Sequence, residues 1–414
     1  MDLQHDAKQI IDRSLQTVLP DAAVRRALEE HPIDRGATVI AIGKAAWRMA
    51  RAAQQVLGER LKSGIVITKY GHSEGPLPRM TIFEAGHPVP DAHGVEATRQ
   101  ALRLADSLTQ EDVVIFLVSG GGSALFEMPL EGVSLEDIAG ITRQLLACGA
   151  DIVEINTLRK HLSAVKGGRF AERCAPARVL AIVLSDVLGD PLDSIASGPA
   201  CPDSSTCQDV KAIIARHHLR IPDHVLPALS METPKRILNA EHIVTGNVRA
   251  LCSAAMREAA ALGYAPLLLT TTLSCEAREA GAMLAAMARE IRASGNPLPA
   301  PCAVILGGET LVHLRGNGRG GRNQELALAA AAGLSGLPDT LLFSLGSDGT
   351  DGPTDAAGGM VTGEFASACR ARGLSIEASL ANNDAYTLLK EMGALIMTGP
   401  TGTNVNDLTV LLCR

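Results

Sequence analysis

Aromatic side chains are nearly missing from this sequence: Phe, Tyr and Trp together make up 2% of 414 residues. Its cores must be built from Val, Ile, Leu and Ala, the mixture used by buried parallel strands and their covering helices, which favours α/β over an all-β sandwich. An excess of positive charge is absent as well. The net charge of -7 and the isoelectric point near 5.9 give no electrostatic reason to bind along a nucleic-acid backbone, so a small-molecule ligand is the better expectation. No apolar run approaches the roughly 18 residues needed to span a bilayer. The opening MDLQHDAKQIIDRSLQ is charged rather than a signal peptide, so the chain reads as cytoplasmic, with no membrane partner. Cys-x-x-Cys pairs are lacking too: nine cysteines, an odd number, are scattered from Cys148 to Cys413, which argues against both a disulfide framework and a zinc site.

What is present is apolar and periodic. Hydrophobic residues make up 46% and charged residues 20%, enough to bury large cores, and a prior of roughly 100 to 200 residues per domain points to two domains. Short apolar runs alternate with amphipathic segments: TVIAI, AAWRMARAAQQVL, GIVITK, MTIFEA, GVEATRQALRLADSL, VVIFLV and VLAIVL. This is the βαβα rhythm of a parallel sheet. The segment VLPALSMETPKRILNAE breaks the rhythm, and a second series opens with HIVT and runs through PLLLT, CAVIL, LLFSL, LIM and LTVLL. The expected domains are 1–235 and 236–414.

In such sheets ligands sit beyond the carboxyl ends of the strands, and the unusual residues fall there. TVIAI is followed by Gly43-Lys44, and VVIFLV by Ser119, Gly120, Gly121, Gly122 and Ser123. Backbone N–H groups of the glycine run, opening into an expected helix, suit a phosphate. Lys44 is not a Walker lysine, because Ala45 stands where Ser or Thr is required, but it can still act as a point charge on a phosphoryl group. VLAIVL leads to Asp186 and Asp190, and LLFSL to Asp348 and Asp351. Carboxylates beside glycines suit a magnesium that bridges substrate phosphates, although Asp and Gly are also common turn formers.

Gly316, Gly318 and Gly321 satisfy the dinucleotide spacing G-x-G-x-x-G after an apolar run. The acidic residue expected about 20 positions on is missing from its place, since Asp339 precedes the next strand instead of ending it. Arg319, Arg322, Asn323 and Gln324 crowd the turn with donors, a pattern better suited to gripping a carboxylate or a phosphoryl group than a nicotinamide cofactor.

Taken in order, GKAAWRMA, HPVPD, SGGGSAL, NTLRKHLSAVKGGRFA, LSDVLGDPLDSIASGPACPD, GRGGRNQELALA and GSDGTDGPTDAAGG resemble the glycerate 2-kinase family over nearly the whole chain. The resemblance implies a Rossmann-like N-terminal domain, a smaller α/β C-terminal domain with a MOFRL region at about 300–414, and an active site in the cleft between them. It implies transfer of the γ-phosphoryl of ATP to the C2 hydroxyl of D-glycerate with a divalent metal, Mg2+. Lys44 and Arg322 are then the expected catalytic pair, Asp186 and Asp351 acidic participants, and Asp186 and Asp190 the metal carboxylates. The Ser119 to Ser123 loop would hold nucleotide phosphates, with Arg319, Asn323 and Asp348 at the substrate. Some relatives are labelled hydroxypyruvate reductases, so an NAD(P)H-dependent reductase stays open, as does a non-catalytic binder of sugar acids or nucleotides. A homodimer is compatible with the sequence, which does not set the oligomeric state.

Overall fold

The structure is a computed structural model and describes residues 2–185, 187, 189 and 191–414. Asp186 and Asp190, two of the expected acidic residues, lie outside the described residues. The chain forms two compact units, Pro20–Thr245 and a second one made of Met1–Leu19 with Gly246–Arg414.

The first unit carries a six-stranded sheet of β1 (Ala37–Ile42), β2 (Leu61–Lys69), β3 (Met80–Ala85), β4 (Val113–Val118), β5 (Arg178–Leu184) and β6 (Ala240–Gly246), in the order β3-β2-β1-β4-β5-β6. β1 pairs in parallel with both β2 and β4, and β2–β3 and β4–β5 are parallel as well. Alternate residues serve two cores: Val39, Ala41, Ile115 and Leu117 belong to one, and Ile40, Ile42, Val114 and Phe116 to the other. Helices cover both faces, which is why these strands read as unbroken apolar runs. Three of the few aromatics, Phe116, Phe126 and Phe170, meet in the second of these cores with ring centroids 4.7 to 5.9 Å apart, and in sequence they flank the glycine loop.

The second unit holds a mixed sheet of β7 (Ala265–Leu273), β8 (Cys302–Gly308), β9 (Thr340–Gly346), β10 (Gly358–Thr362), β11 (Leu395–Ile396) and β12 (Asp407–Cys413), in the order β11-β10-β9-β12-β8-β7. β7 and β8 are parallel, whereas β12 runs antiparallel to both β8 and β9. Helices Ala277–Ser294 and Arg322–Leu334 supply nearly half of one core, through Leu284, Ala288, Leu326 and Leu334 among others.

Two features differ from the sequence expectation. HIVT does not open the second series: it lies within β6, the edge strand of the first sheet, so the division falls at residue 245 rather than 235. The first helix, Leu3–Thr17, belongs with the second unit. Its buried Asp6 accepts a hydrogen bond from the Tyr264 hydroxyl at 2.7 Å and pairs with Arg414 at 3.2 Å, and Thr403 Oγ1 donates to the Val18 carbonyl at 2.9 Å. Such tertiary pairs leave no trace in periodicity.

Candidate active site

The strand order of the first sheet reverses between β1 and β4, the switch point at which open α/β sheets bind ligands. Both expected loops leave the sheet there. The Lys44 N–H donates to the Gly120 carbonyl at 2.9 Å, and the Ala45 N–H donates to Ser119 Oγ at 3.1 Å. Gly43 has φ +112°, and a Cβ on it would lie 2.3 Å from Ser119 Oγ, so only glycine lets the two loops touch. Lys44 itself is exposed and makes no ion pair among the described residues.

The glycine run keeps donors in reserve. Gly121 adopts the left-handed conformation at φ +86°, and the N–H groups of Gly120 and Gly121 have no hydrogen-bond partner among the described residues. The expected helix is a single turn, Gly122–Leu125, so these bare amides, and not a macrodipole, make the loop anion-ready. A Cβ on Gly121 would lie 3.0 Å from His87 Nε2 and 3.3 Å from Lys44 Cγ, which puts the loop, the imidazole and the lysine in one cluster. Burial holds the His87 pKa below its usual value, and the nearby Lys44, Lys69 and His72 add to the effect. The ring is therefore neutral at pH 7. Ser123 Oγ lies 3.0 Å from Ser197 Oγ, and Ser197 in turn donates to Asn156 at 3.3 Å. Ala196 and Ser197 both have positive φ, +51° and +60°, an uncommon pair of non-glycine residues beside a loop of this kind. Behind them, Lys160 is buried between Asp193 and Asp203 at 3.1 Å from each.

The second unit gathers the other expected residues, but its polar groups are largely spent on one another. Arg322 opens its helix and donates Nε and Nη2 to Asp407 at 2.6 and 3.0 Å, while Nη1 pairs with Glu309 at 3.0 Å. Burial works against its charge, but Asp407 and Glu309 outweigh that and raise its pKa. Asp351 is buried at the same helix start and accepts the N–H groups of Asn323 and Gln324 at 3.2 and 2.9 Å. Burial pushes its carboxyl up to about 6 despite those bonds, with the charge of Asp407 contributing and that of Arg322 opposing. Asn323, expected at the substrate, is 1% exposed; its amide donates to Asp351 and accepts from the Ser344 hydroxyl, so the fold occupies both ends. Arg319 stacks on Tyr386 with its guanidinium 4.6 Å from the ring centroid and donates to the Pro353 carbonyl. Asp348 is half-buried, and its carboxylate accepts only the Thr350 N–H among the described residues.

The G-x-G-x-x-G spacing has a different cause from a pyrophosphate. A Cβ on Gly316 would lie 2.5 Å from Asn382 Cα, one on Gly318 2.4 Å from Asp384 Cβ, and one on Gly321 2.2 Å from Asp351 Cγ. The N–H groups of Arg315 and Gly316 donate to Asn383 Oδ1, those of Asn317 and Gly318 to Asn382, and that of Arg319 to Asp384. No amide from 315 to 319 is left for a dinucleotide, and within the motif only Gly320 and Gly321 keep an N–H without a partner among the described residues. The segment Asn382–Asp384 and the pair Asn406–Asp407 were not singled out from the sequence; the tract GPTGTNVND before the final strand, dense in glycine and threonine, is the signal that could have found the latter.

Residues 6–230 match the family described as a domain of unknown function, DUF4147, and residues 302–407 match the MOFRL family. The chain is 54% identical to a protein named D-glycerate 2-kinase from Thermotoga maritima, over 98% of this chain and 97% of that one. The chain belongs to the glycerate 2-kinase family. A crystal structure of glycerate kinase from Thermotoga maritima superposes with a TM-score of 0.97 at 53% identity, covering 100% of this chain and 99% of that one. A protein of Agrobacterium vitis named putative hydroxypyruvate reductase is 39% identical over 98% of this chain and 93% of its own. Members of a kinase family use a nucleotide and a small-molecule acceptor, and no described helix of this one is long and apolar enough to cross a membrane.

Proposed function

We propose that the protein transfers the γ-phosphoryl group of ATP to the C2 hydroxyl of D-glycerate, giving 2-phosphoglycerate and ADP. The observation that carries the reading is the β1/β4 switch point, where an exposed Lys44 and two glycine amides stand side by side without partners among the described residues. Phosphoryl transfer asks for positioning and charge stabilisation rather than covalent chemistry, and these groups supply both.

In this reading the Gly120 and Gly121 amides hold nucleotide phosphate oxygens, Lys44 stabilises charge on the transferring group, and Ser123, whose hydroxyl proton goes to Ser197, braces the loop. His87, neutral and packed against the same loop, accepts the proton of the attacking hydroxyl or orients it. Arg322 stays anchored through Asp407 and frees Nη1 for an anionic oxygen when the half-exposed Glu309 yields. Asp351 holds the helix start that presents Arg322, which makes it a positioning residue rather than the base. A magnesium ion would neutralise phosphate oxygens and needs hard oxygen donors. Asp348 keeps an uncommitted carboxylate oxygen that fits such an ion, while Asp193 is tied to Lys160; Asp186 and Asp190 keep the metal role their place in the sequence implies.

The reductase reading loses the first part of its dinucleotide turn, because the amides of 315–319 are spent on Asn382–Asp384, whereas those of Gly320 and Gly321 have no hydrogen-bond partner among the described residues. Two assays on one preparation decide between the readings. Glycerate, ATP and magnesium should yield ADP, with the ester at C2 by phosphorus NMR, and hydroxypyruvate should not consume NADH or NADPH. Hydroxypyruvate-dependent loss of NAD(P)H without glycerate-dependent ADP would overturn the proposal, and activity in neither assay would favour a binding protein.

A further inference from the structure

Away from these loops, three metal-ligating side chains of the first unit converge with no task in the reaction. His161 lies at the end of helix Ile152–Leu162, Cys207 is the first residue of helix Cys207–Arg216, and Glu232 lies in the segment that leads to β6. A ring nitrogen of His161, Cys207 Sγ and a Glu232 carboxylate oxygen all lie within 4.8 Å of one another.

The imidazole is the telling member. His161 is fully buried, and its Nδ1 lies 3.0 Å from the Thr157 carbonyl. A carbonyl only accepts, so Nδ1 carries the proton and Nε2 the lone pair. Nε2 is buried with no hydrogen-bond partner among the described residues, a rare and unfavourable state for a polar atom. A proton on Nε2 would make matters worse by burying an unpaired charge. An acceptor oriented from behind by a backbone carbonyl and left empty in front is the arrangement of a metal-binding histidine.

We propose that His161, Cys207 and Glu232 bind a divalent cation of the borderline-soft class, with zinc as the ion that fits. Imidazole nitrogen, thiolate and carboxylate are its three protein ligand types, and three such ligands leave a fourth tetrahedral position for water. Binding replaces the thiol proton: the metal–sulfur bond forms as Sγ–H releases H+, and the thiolate and carboxylate together balance the two positive charges. Lys235 competes, its Nζ lying 3.0 Å from Glu232 Oε2 in a pair exposed enough to exchange. Asp203 and Arg169 are the other charged groups that act on His161, with opposite signs. The ligands come from three separate segments, so no Cys-x-x-Cys spacing announces them. Occupancy would also brace the nearby ion pair, because Thr233, next to Glu232, donates to Asp203 at 2.9 Å, and Asp203 holds Lys160, next to His161.

Cobalt chloride added to the full-length, metal-stripped protein provides the spectroscopic probe. One equivalent should produce a thiolate-to-cobalt charge-transfer band that zinc chloride displaces. Cys207→Ser should abolish the band, and Glu232→Gln should weaken cobalt affinity about tenfold or more. Lys235→Ala should tighten it. Zinc should raise the melting temperature of the wild type but not that of Cys207→Ser. Cys207 and Glu232 are not fully buried, so these variants should fold, which circular dichroism checks, and the test does not hang on a His161 variant. No band in the wild type, or a band that survives Cys207→Ser, would overturn the proposal.

Discussion

The two units carry loops that look alike in sequence, rich in glycine, placed after a strand and flanked by a cation, yet their hydrogen bonds go to opposite ends. At the switch point of the first sheet, Gly120 and Gly121 hold their amides open and Lys44 is unpaired among the described residues. In the second unit the amides from 315 to 319 close on Asn382–Asp384, and Arg322 closes on Asp407 and Glu309. The difference teaches that glycine spacing reports where backbone must come close to something. Only an account of each N–H shows whether that something is a ligand or the protein itself.

If the open loop performs the chemistry, Lys44→Ala should lower kcat by about 10²-fold, equivalent to about 2.7 kcal/mol of barrier, with an unchanged melting temperature. Near-normal turnover in steady-state kinetics would erase the contrast. The closed loop should fail in the opposite way. Asp407→Ala leaves Arg322 without its bidentate partner and should cost about 2 kcal/mol in urea unfolding. That is below the ~3–5 kcal/mol of a fully buried pair, because the Arg322 side chain is 34% exposed.

Gly321→Ala should destabilise by about 1–2 kcal/mol, since its Cβ would lie 2.2 Å from Asp351 Cγ. Gly71→Ala, at a position where nothing lies within 4 Å, carries only the cost of its φ of +73° and serves as the control. The pH dependence of stability sharpens the same point. Because the folded Asp351 carboxyl stands at about 6 against an ordinary 3.8, the folded state binds the proton more tightly than the unfolded one. Its contribution is fully present below about pH 4 and is lost as the pH rises through about 6. Asp351→Asn should flatten that part of the stability profile relative to wild type, and parallel profiles would contradict the assignment. The smallest effect should come from Arg319→Lys, which keeps a cation over Tyr386 and should change stability by no more than about 1 kcal/mol.

Much of the first sheet was legible, because β1, β4 and β5 are buried on both faces and spell continuous apolar runs that end in their loops. β6 was assigned to the wrong sheet: a short strand such as HIVT carries no sign of the neighbour it will pair with. Lys44 and the Ser119–Ser123 loop could be named from strand-end chemistry alone. The fates of Asn323 and Arg319 could not, since whether a polar side chain faces a ligand or a core depends on Ser344, Asp351 and Tyr386, all distant in sequence. His87 stood in a quoted motif without a role until Gly121 was seen to pack against its ring.

Hydrogen exchange at single-amide resolution tests the contrast most directly. The Gly120 and Gly121 amides should exchange rapidly in the free protein and become protected when ATP and magnesium are added. The amides of residues 315–319 should be protected from the start and respond neither to ATP nor to NADH. Protection of 315–319 gained on adding NADH, with Gly120 and Gly121 indifferent to ATP, would contradict the account.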